Sequence, residues 1–97
     1  MILSSDNTLY TGITTDIRRR WRQHQGQIRG GAKYFRGRRP VSLAFLETGH
    51  DRSSASIREA DIRRLTKSDK LELTLSETNQ AMGYAAELPV LQATSGV

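Results

Sequence analysis

The sequence contains no cysteine. That absence excludes a disulfide framework and any thiolate metal site, and it fits a reducing cytoplasm, where the chain is expected to reside. Long apolar runs are missing as well. The longest, "LAFL" at residues 43 to 46, falls far short of the roughly 20 residues needed to cross a bilayer. The opening "MILSSDN" has neither a basic segment nor a long apolar stretch, so no secretory signal is expected. Aromatic residues are scarce, one Trp, three Tyr and two Phe among 97 residues. A chain of this length hides only about 60 to 65% of its unfolded surface, so the core is small and each large apolar residue counts. A single domain is expected.

The most informative shortage is of negative charge in one place. Between Asp16 and Glu47 there is no acid, yet that window holds Arg18, Arg19, Arg20, Arg22, Arg29, Lys33, Arg36, Arg38 and Arg39, nine of the fifteen cations. The other six share the rest of the chain with all ten acids, so the net charge of +5 understates a concentrated positive field. A polyanion is the natural partner for such a layout. A merely solubilising surface would mix both signs. Membrane-surface binding by a long basic amphipathic helix is excluded by Gly26, Gly30, Gly31, Gly37 and Pro40 in the same window.

What is present reads as alternating short elements. Ile2 and Leu3, the turn-rich "SSDNT" and then "LYTGIT" predict two strands joined by a hairpin, with Asp6 and Asn7 suited to left-handed backbone angles. Gly12 weakens the second strand unless something approaches its backbone closely. Thr15 or Asp16 caps a helix that ends near Gly26. A basic, glycine-punctuated loop follows to Pro40, and "VSLAFLET" predicts a third strand, apolar enough for the middle of a sheet. Asp51 or Ser53 starts a helix running to about Leu65, and "TKSD" resembles a capping box that opens another. "KLELTLSE" fits either periodicity; the cap favours a helix. The closing "QATSGV" is expected to fray.

On the first helix Ile17 and Trp21 define the inward stripe, with Arg20 and His24 on its borders and Arg19 and Arg22 pointing away. Arg20 and His24, four residues apart, therefore share a face. They are either an edge arginine covering Trp21 beside a hydrogen-bonded histidine, or two groups in a cleft between helix and sheet. On the second helix Ala55, Glu59, Ile62 and Thr66 form one stripe, which sets a carboxylate where an apolar residue belongs. An unpaired buried carboxylate is costly, so either a neighbouring arginine or a divalent cation is expected beside Glu59. Tyr10, on the strand before the first helix, would by itself be read as core.

Taken together, "LYTGIT", Arg20 ten residues after Tyr10, His24 one helical turn later and Glu59 in "READIRRL" resemble the GIY-YIG nuclease superfamily. The likeness is greatest to its small single-domain bacterial members, and "GAKYFRGRRP" is similar to the basic loop of that subfamily. It spans roughly residues 1 to 73. The domain is accordingly placed at 1 to 75, with 76 to 97 as an extension expected to be partly disordered. The resemblance implies an α+β fold with a small three-stranded, mainly antiparallel sheet flanked by helices. It also implies a phosphodiesterase site in which Glu59 holds Mg²⁺ or Mn²⁺, a metal that stabilises the leaving oxygen. Tyr10 would be the general base, and a free phenol needs cationic neighbours such as Arg20 to favour its phenolate at neutral pH. Arg20 would also stabilise charge on the phosphoryl oxygens, and His24 would orient water or move a proton.

The same resemblance assigns DNA, branched or single-stranded, as partner, through Arg29, Lys33, Tyr34, Arg36, Arg38 and Arg39. No membrane and no small-molecule cofactor are expected, and the chain is expected to be a monomer. One departure stands out. The first motif of the family, a Gly-Ile-Tyr strand, would place a tyrosine about ten residues before Tyr10, where Met1 stands. The first strand is therefore expected to be cut short. Either the true start lies upstream, or one active-site hydroxyl is lost, and the second case favours a nucleic-acid-binding module of the same fold without catalysis. A third reading is an adaptor for acidic proteins.

Overall fold

The computed structural model describes residues 1–91. The expected fraying of "QATSGV" lies outside the described residues. Strand β1 (Ile2–Ser4) and strand β2 (Leu9–Tyr10) form the predicted antiparallel hairpin, pairing Ile2 with Tyr10 and Leu3 with Leu9. Its turn needs a left-handed residue, which Asn7 supplies at φ 65°. Helix α1 (Ile17–His24) begins where Asp16 accepts a hydrogen bond from the Arg19 amide, 3.2 Å, and stops short of Gly26, whose φ is 80°. A short 3₁₀ turn (Lys33–Phe35) interrupts the basic loop. Strand β3 (Pro40–Leu43) then returns antiparallel to β1.

Sheet order is β2-β1-β3, which corrects one expectation. The short first strand is the central one, and the apolar third strand is not. What buries β3 is a later segment: the Leu43 amide donates to the Pro89 carbonyl, 2.8 Å, and the Leu91 amide to the Leu43 carbonyl, 2.9 Å. A strand covered on its outer side reads in sequence like a central one.

Helix α2 (Arg52–Arg63) is closed at its start by a capping box between Asp51 and Ser54, and helix α3 (Lys67–Thr74) by Thr66 accepting from the Asp69 amide, 3.1 Å. The cap thus settles "KLELTLSE" as helical through Thr74. Alternation along the strands divides the core into two parts. Ile2 and Leu43 join Trp21, Phe35, Ala81 and Leu88, with Tyr10 and Ile17 at the border. Met1, Ala44 and Phe45 join Ile62, with Leu9 and Leu73 at the border. Helix α1 therefore packs on one part and α2 on the other, and both helices reach the same end of the sheet. Residues 79 to 91 contribute Ala81 and Leu88 to the core although their sequence has no periodicity.

Candidate active site

Tyr10 leaves the end of β2 half-buried, and its ring lies across the backbone of Gly12. A Cβ on Gly12 would stand 3.0 Å from Tyr10 Cε1 and 3.1 Å from its hydroxyl. The close approach that the glycine permits is thus made by the tyrosine two residues earlier. The ring is steadied from three sides, edge-on by His24 at 5.3 Å and Phe35 at 5.2 Å between centroids, and tilted against Tyr34 at 5.1 Å. Among the described residues the Tyr10 hydroxyl has no hydrogen-bond partner, in contrast to that of Tyr34, which bonds Thr8.

Helix α1 disposes its side chains as the wheel predicts. Trp21 and His24 are each only 5% exposed, Arg20 is half-buried, and Arg19 and Arg22 are exposed. Arg20 is aimed by its own neighbours: Nη1 donates to the Gly30 carbonyl, 2.7 Å, and to Gln23 Oε1, 3.0 Å. Its hydrogen bonds go to these two acceptors and not to Tyr10. His24 Nδ1 accepts from the Ala32 amide, 3.3 Å, which places the proton of the neutral ring on Nε2. Burial, and secondarily the Arg20 charge, push the His24 pKa down to about 4. At neutral pH the imidazole is uncharged. Both readings of this face therefore hold in part: His24 is packed and hydrogen-bonded, and it still lines a cleft.

Glu59 faces that cleft from α2 with its side chain 20% exposed. Arg63, one turn on, places Nη2 3.4 Å from Oε1, and the same nitrogen donates to the Thr11 carbonyl at 3.2 Å. Arg63 thereby ties the helix carrying Glu59 to the strand carrying Tyr10. No hydrogen bond to the Glu59 carboxylate is found among the described residues, so its second oxygen stands without a partner. Thr11 Oγ1, in the same wall, is buried and likewise unpartnered.

Tyr10, Arg20, His24 and Glu59 all line one cleft of about 670 Å³. The opposite wall was not foreseen in the sequence. There Glu47 Oε2 accepts from Arg58 Nε at 3.0 Å and meets His50 Nε2 at 2.6 Å, while His50 Nδ1 lies 3.0 Å from Ser54 Oγ. His50 and Glu47 both lie in the stretch between β3 and α2, so neither has a periodic neighbour to mark it. Asn79 is the other missed residue. Its amide accepts from the Leu46 and Ala81 backbone and donates to the carbonyls of Ala44 and Thr74, fixing the stretch that leads into Glu47.

Comparison with known proteins supplies the family. The family described as GIY-YIG catalytic domain matches residues 1–84. The chain belongs to the GIY-YIG family. Among curated relatives, UPF0213 protein YhbQ of Salmonella typhimurium is 45% identical, with 95% of this chain and 91% of that protein covered. A UPF0213 protein of Citrobacter koseri is 43% identical over the same shares. A third, from Desulfotalea psychrophila, is 48% identical over 75% of this chain and 66% of its own length. No solved structure matches. GIY-YIG nucleases act on DNA and are generally metal-dependent.

The donor set can be tested against a metal. Among the described residues no three His, Asp or Glu side chains converge as a cage. A half-buried carboxylate with one unpartnered oxygen, facing an open cleft, instead fits a cation that keeps most of its waters and shares itself with a phosphate, the habit of Mg²⁺. The basic loop divides in two. Arg38 stacks over the Tyr34 ring, 4.2 Å from its centroid, and pairs through Nε with Asp6 at 2.5 Å. Arg29, Lys33, Arg36 and Arg39 are exposed and have no ion pair among the described residues.

Proposed function

We propose that the protein is a metal-dependent DNA endonuclease. The observation that carries this reading is the convergence of Tyr10, Arg20, His24 and Glu59, from three elements, on one cleft. Tyr10 is the base: its hydroxyl is free of internal hydrogen bonds, so it is available to a water attacking phosphorus. Arg20, held by Gly30 and Gln23, contributes a preorganised positive charge to the phosphoryl oxygens and loses little order on binding. His24 is neutral and buried, and its Nε2–H serves to orient rather than to carry charge. Glu59 would hold Mg²⁺ or Mn²⁺, which when bound supplies charge stabilisation for the leaving oxygen. Arg29, Lys33, Arg36 and Arg39 hold the flanking backbone phosphates.

Nicking of a plasmid or labelled duplex in Mg²⁺ is expected for the wild type. Glu59→Gln and Arg20→Ala are expected to lower the rate at least about a hundredfold, the scale of losing one electrostatic group, while DNA binding persists. Undiminished cleavage by both variants would refute the reading. The Arg63 guanidinium beside Glu59 favours a second reading, in which Glu59 is a structural ion pair and the chain binds DNA without cutting it. That reading predicts salt-sensitive binding and no cleavage with any divalent metal.

A further inference from the structure

A second cavity, of about 470 Å³, opens between the end of α1 and the basic loop. His24 and Phe35, with ring centroids 4.6 Å apart, line it together with the amides of Gln23 and Gln27 and the side chains of Arg29 and Arg36. No acid lines it. Arg29 and Arg36 have no ion pair among the described residues, so no internal partner competes with a ligand for them. The hollow depends on glycine: a Cβ on Gly31 would stand 2.4 Å from the Gln23 carbonyl oxygen, so a side chain there would push the loop off the helix end.

The two cavities are linked through α1. His24 lines both. Gln23, which lines the second, accepts through Oε1 from Arg20 Nη1, and Arg20 faces the first. Whatever occupies the second cavity therefore touches the residues that aim the arginine of the reaction cleft.

We propose that this second cavity receives one unpaired nucleotide of the DNA strand adjoining the reacting phosphate, so that the preferred substrate carries an extrahelical or displaced nucleotide beside the cleavage position. The inference rests on the DNA-cleaving reading for the presence of a strand in the cleft, and it deepens that reading by naming the substrate class. A cavity of about 470 Å³ is at the small end of ligand pockets, about 300 to 1,000 Å³, which suits one nucleotide. A base pair does not fit such a hollow, because its two sugar-phosphate chains leave on opposite sides. An extrahelical nucleotide has already lost its pairing, so placing it there costs little. Apolar and aromatic walls around a base and cations beside its phosphates are the two devices by which unpaired strands are held. Ile28, Ala32 and the accessible edges of His24 and Phe35 supply the first, and Arg29 and Arg36 the second.

The test is equilibrium binding by fluorescence anisotropy, using the Glu59→Gln chain. Three DNA probes are compared: a perfect duplex, the same duplex with one extra nucleotide in one strand, and that duplex with an abasic residue at the extra position. The duplex carrying the extra nucleotide is expected to bind about tenfold more tightly than the perfect one, within the range for one stacked base, and the abasic probe to lose most of that gain. Gln27→Trp fills the mouth from an exposed position and is expected to bring the preference down towards one. Arg29→Gln combined with Arg36→Gln is expected to reduce the salt slope for the extra-nucleotide probe by about two. Equal affinity for the perfect and extra-nucleotide duplexes, or a preference that survives Gln27→Trp in a chain with a wild-type melting curve, overturns the proposal. The two readings fail separately. A preference without wild-type cleavage overturns only the nuclease, and cleavage without a preference overturns only the nucleotide site.

Discussion

Asn79→Ala removes a side chain whose amide is fully used. Oδ1 accepts from the amides of Leu46, 3.1 Å, and Ala81, 3.0 Å, and Nδ2 donates to the carbonyls of Ala44 and Thr74, both 2.9 Å. These join the exit of β3, the end of α3 and the turn that carries Ala81 into the core. At about 0.5 to 1.5 kcal/mol each, four such bonds bound the loss between about 2 and 6 kcal/mol. The site is only partly buried, so water replaces some of them, and about 3 kcal/mol is the working value. For a domain of this size that corresponds to a fall of about 12 to 24 °C in Tm. The assay is urea and thermal unfolding followed by fluorescence of Trp21, the single tryptophan, which is 5% exposed and reports the core directly. Asn79→Asp keeps two acceptors but sets a carboxylate against two carbonyl oxygens, so it should cost at least as much at neutral pH and less in acid. A shift below about 4 °C for Asn79→Ala, or an Asn79→Asp chain as stable as the wild type at neutral pH, would refute this account of how the cleft wall is held.

Two further outcomes follow from the site. Burial lowers the His24 pKa from 6.5 to about 4, so between these values the unfolded chain binds more protons and stability must fall as pH falls. The stabilisation is complete above about pH 6.5, declines by about 3 kcal/mol on the way to pH 4 and then levels off. Urea midpoints across this window should show that slope in the wild type and not in His24→Asn. The difference between the two chains isolates His24 from the Met1 amine, whose pKa burial lowers to about 5. Gly12→Ala places a methyl 3.0 to 3.3 Å from the Tyr10 ring and hydroxyl, which the ring can relieve only by moving. Stability should change by less than about 1 kcal/mol while cleavage falls at least about tenfold, because small displacements of a reacting group are expensive. Full cleavage by a Gly12→Ala chain would remove Tyr10 from its assigned role.

Much of this fold was legible because its elements are marked at their ends. Asp16, Asp51 and Thr66 each cap the helix expected of them, and Asn7 turns the hairpin. Helical period alone placed Trp21 inward, His24 and Arg20 at the border and Arg19 outward. Strand order was not legible, since a short strand gives no sign of being flanked on both sides, and β3 owes its burial to residues 89 to 91, far along the chain. The same limit hid half of the cleft. Tyr10, Arg20, His24 and Glu59 stand at recognisable spacings, whereas Glu47, His50 and Asn79 matter only through partners that the fold brings to them.

The arginines show why that distinction bears on function. Of the nine cations between Asp16 and Glu47, only Arg18 and Arg38 find acids among the described residues, Glu87 and Asp6, both outside the window. The Arg18 and Glu87 side chains are 59% and 44% exposed, and both members of the Arg38–Asp6 pair are 39% exposed, so solvent screens both ion pairs and they add little to stability. The other seven contribute no ion pair to the fold among the described residues. A domain of roughly 5 to 15 kcal/mol total stability gains almost nothing from this concentration of charge and bears its self-repulsion. Arg20 shows the same economy within the cleft: its hydrogen bonds to Gly30 and Gln23 leave its charge unneutralised in a cleft also lined by a carboxylate, Glu59, that has an oxygen to spare. Both features are unfavourable in the free protein, and under the proposed function both would be relieved by the same event, the arrival of a phosphate backbone with its cation.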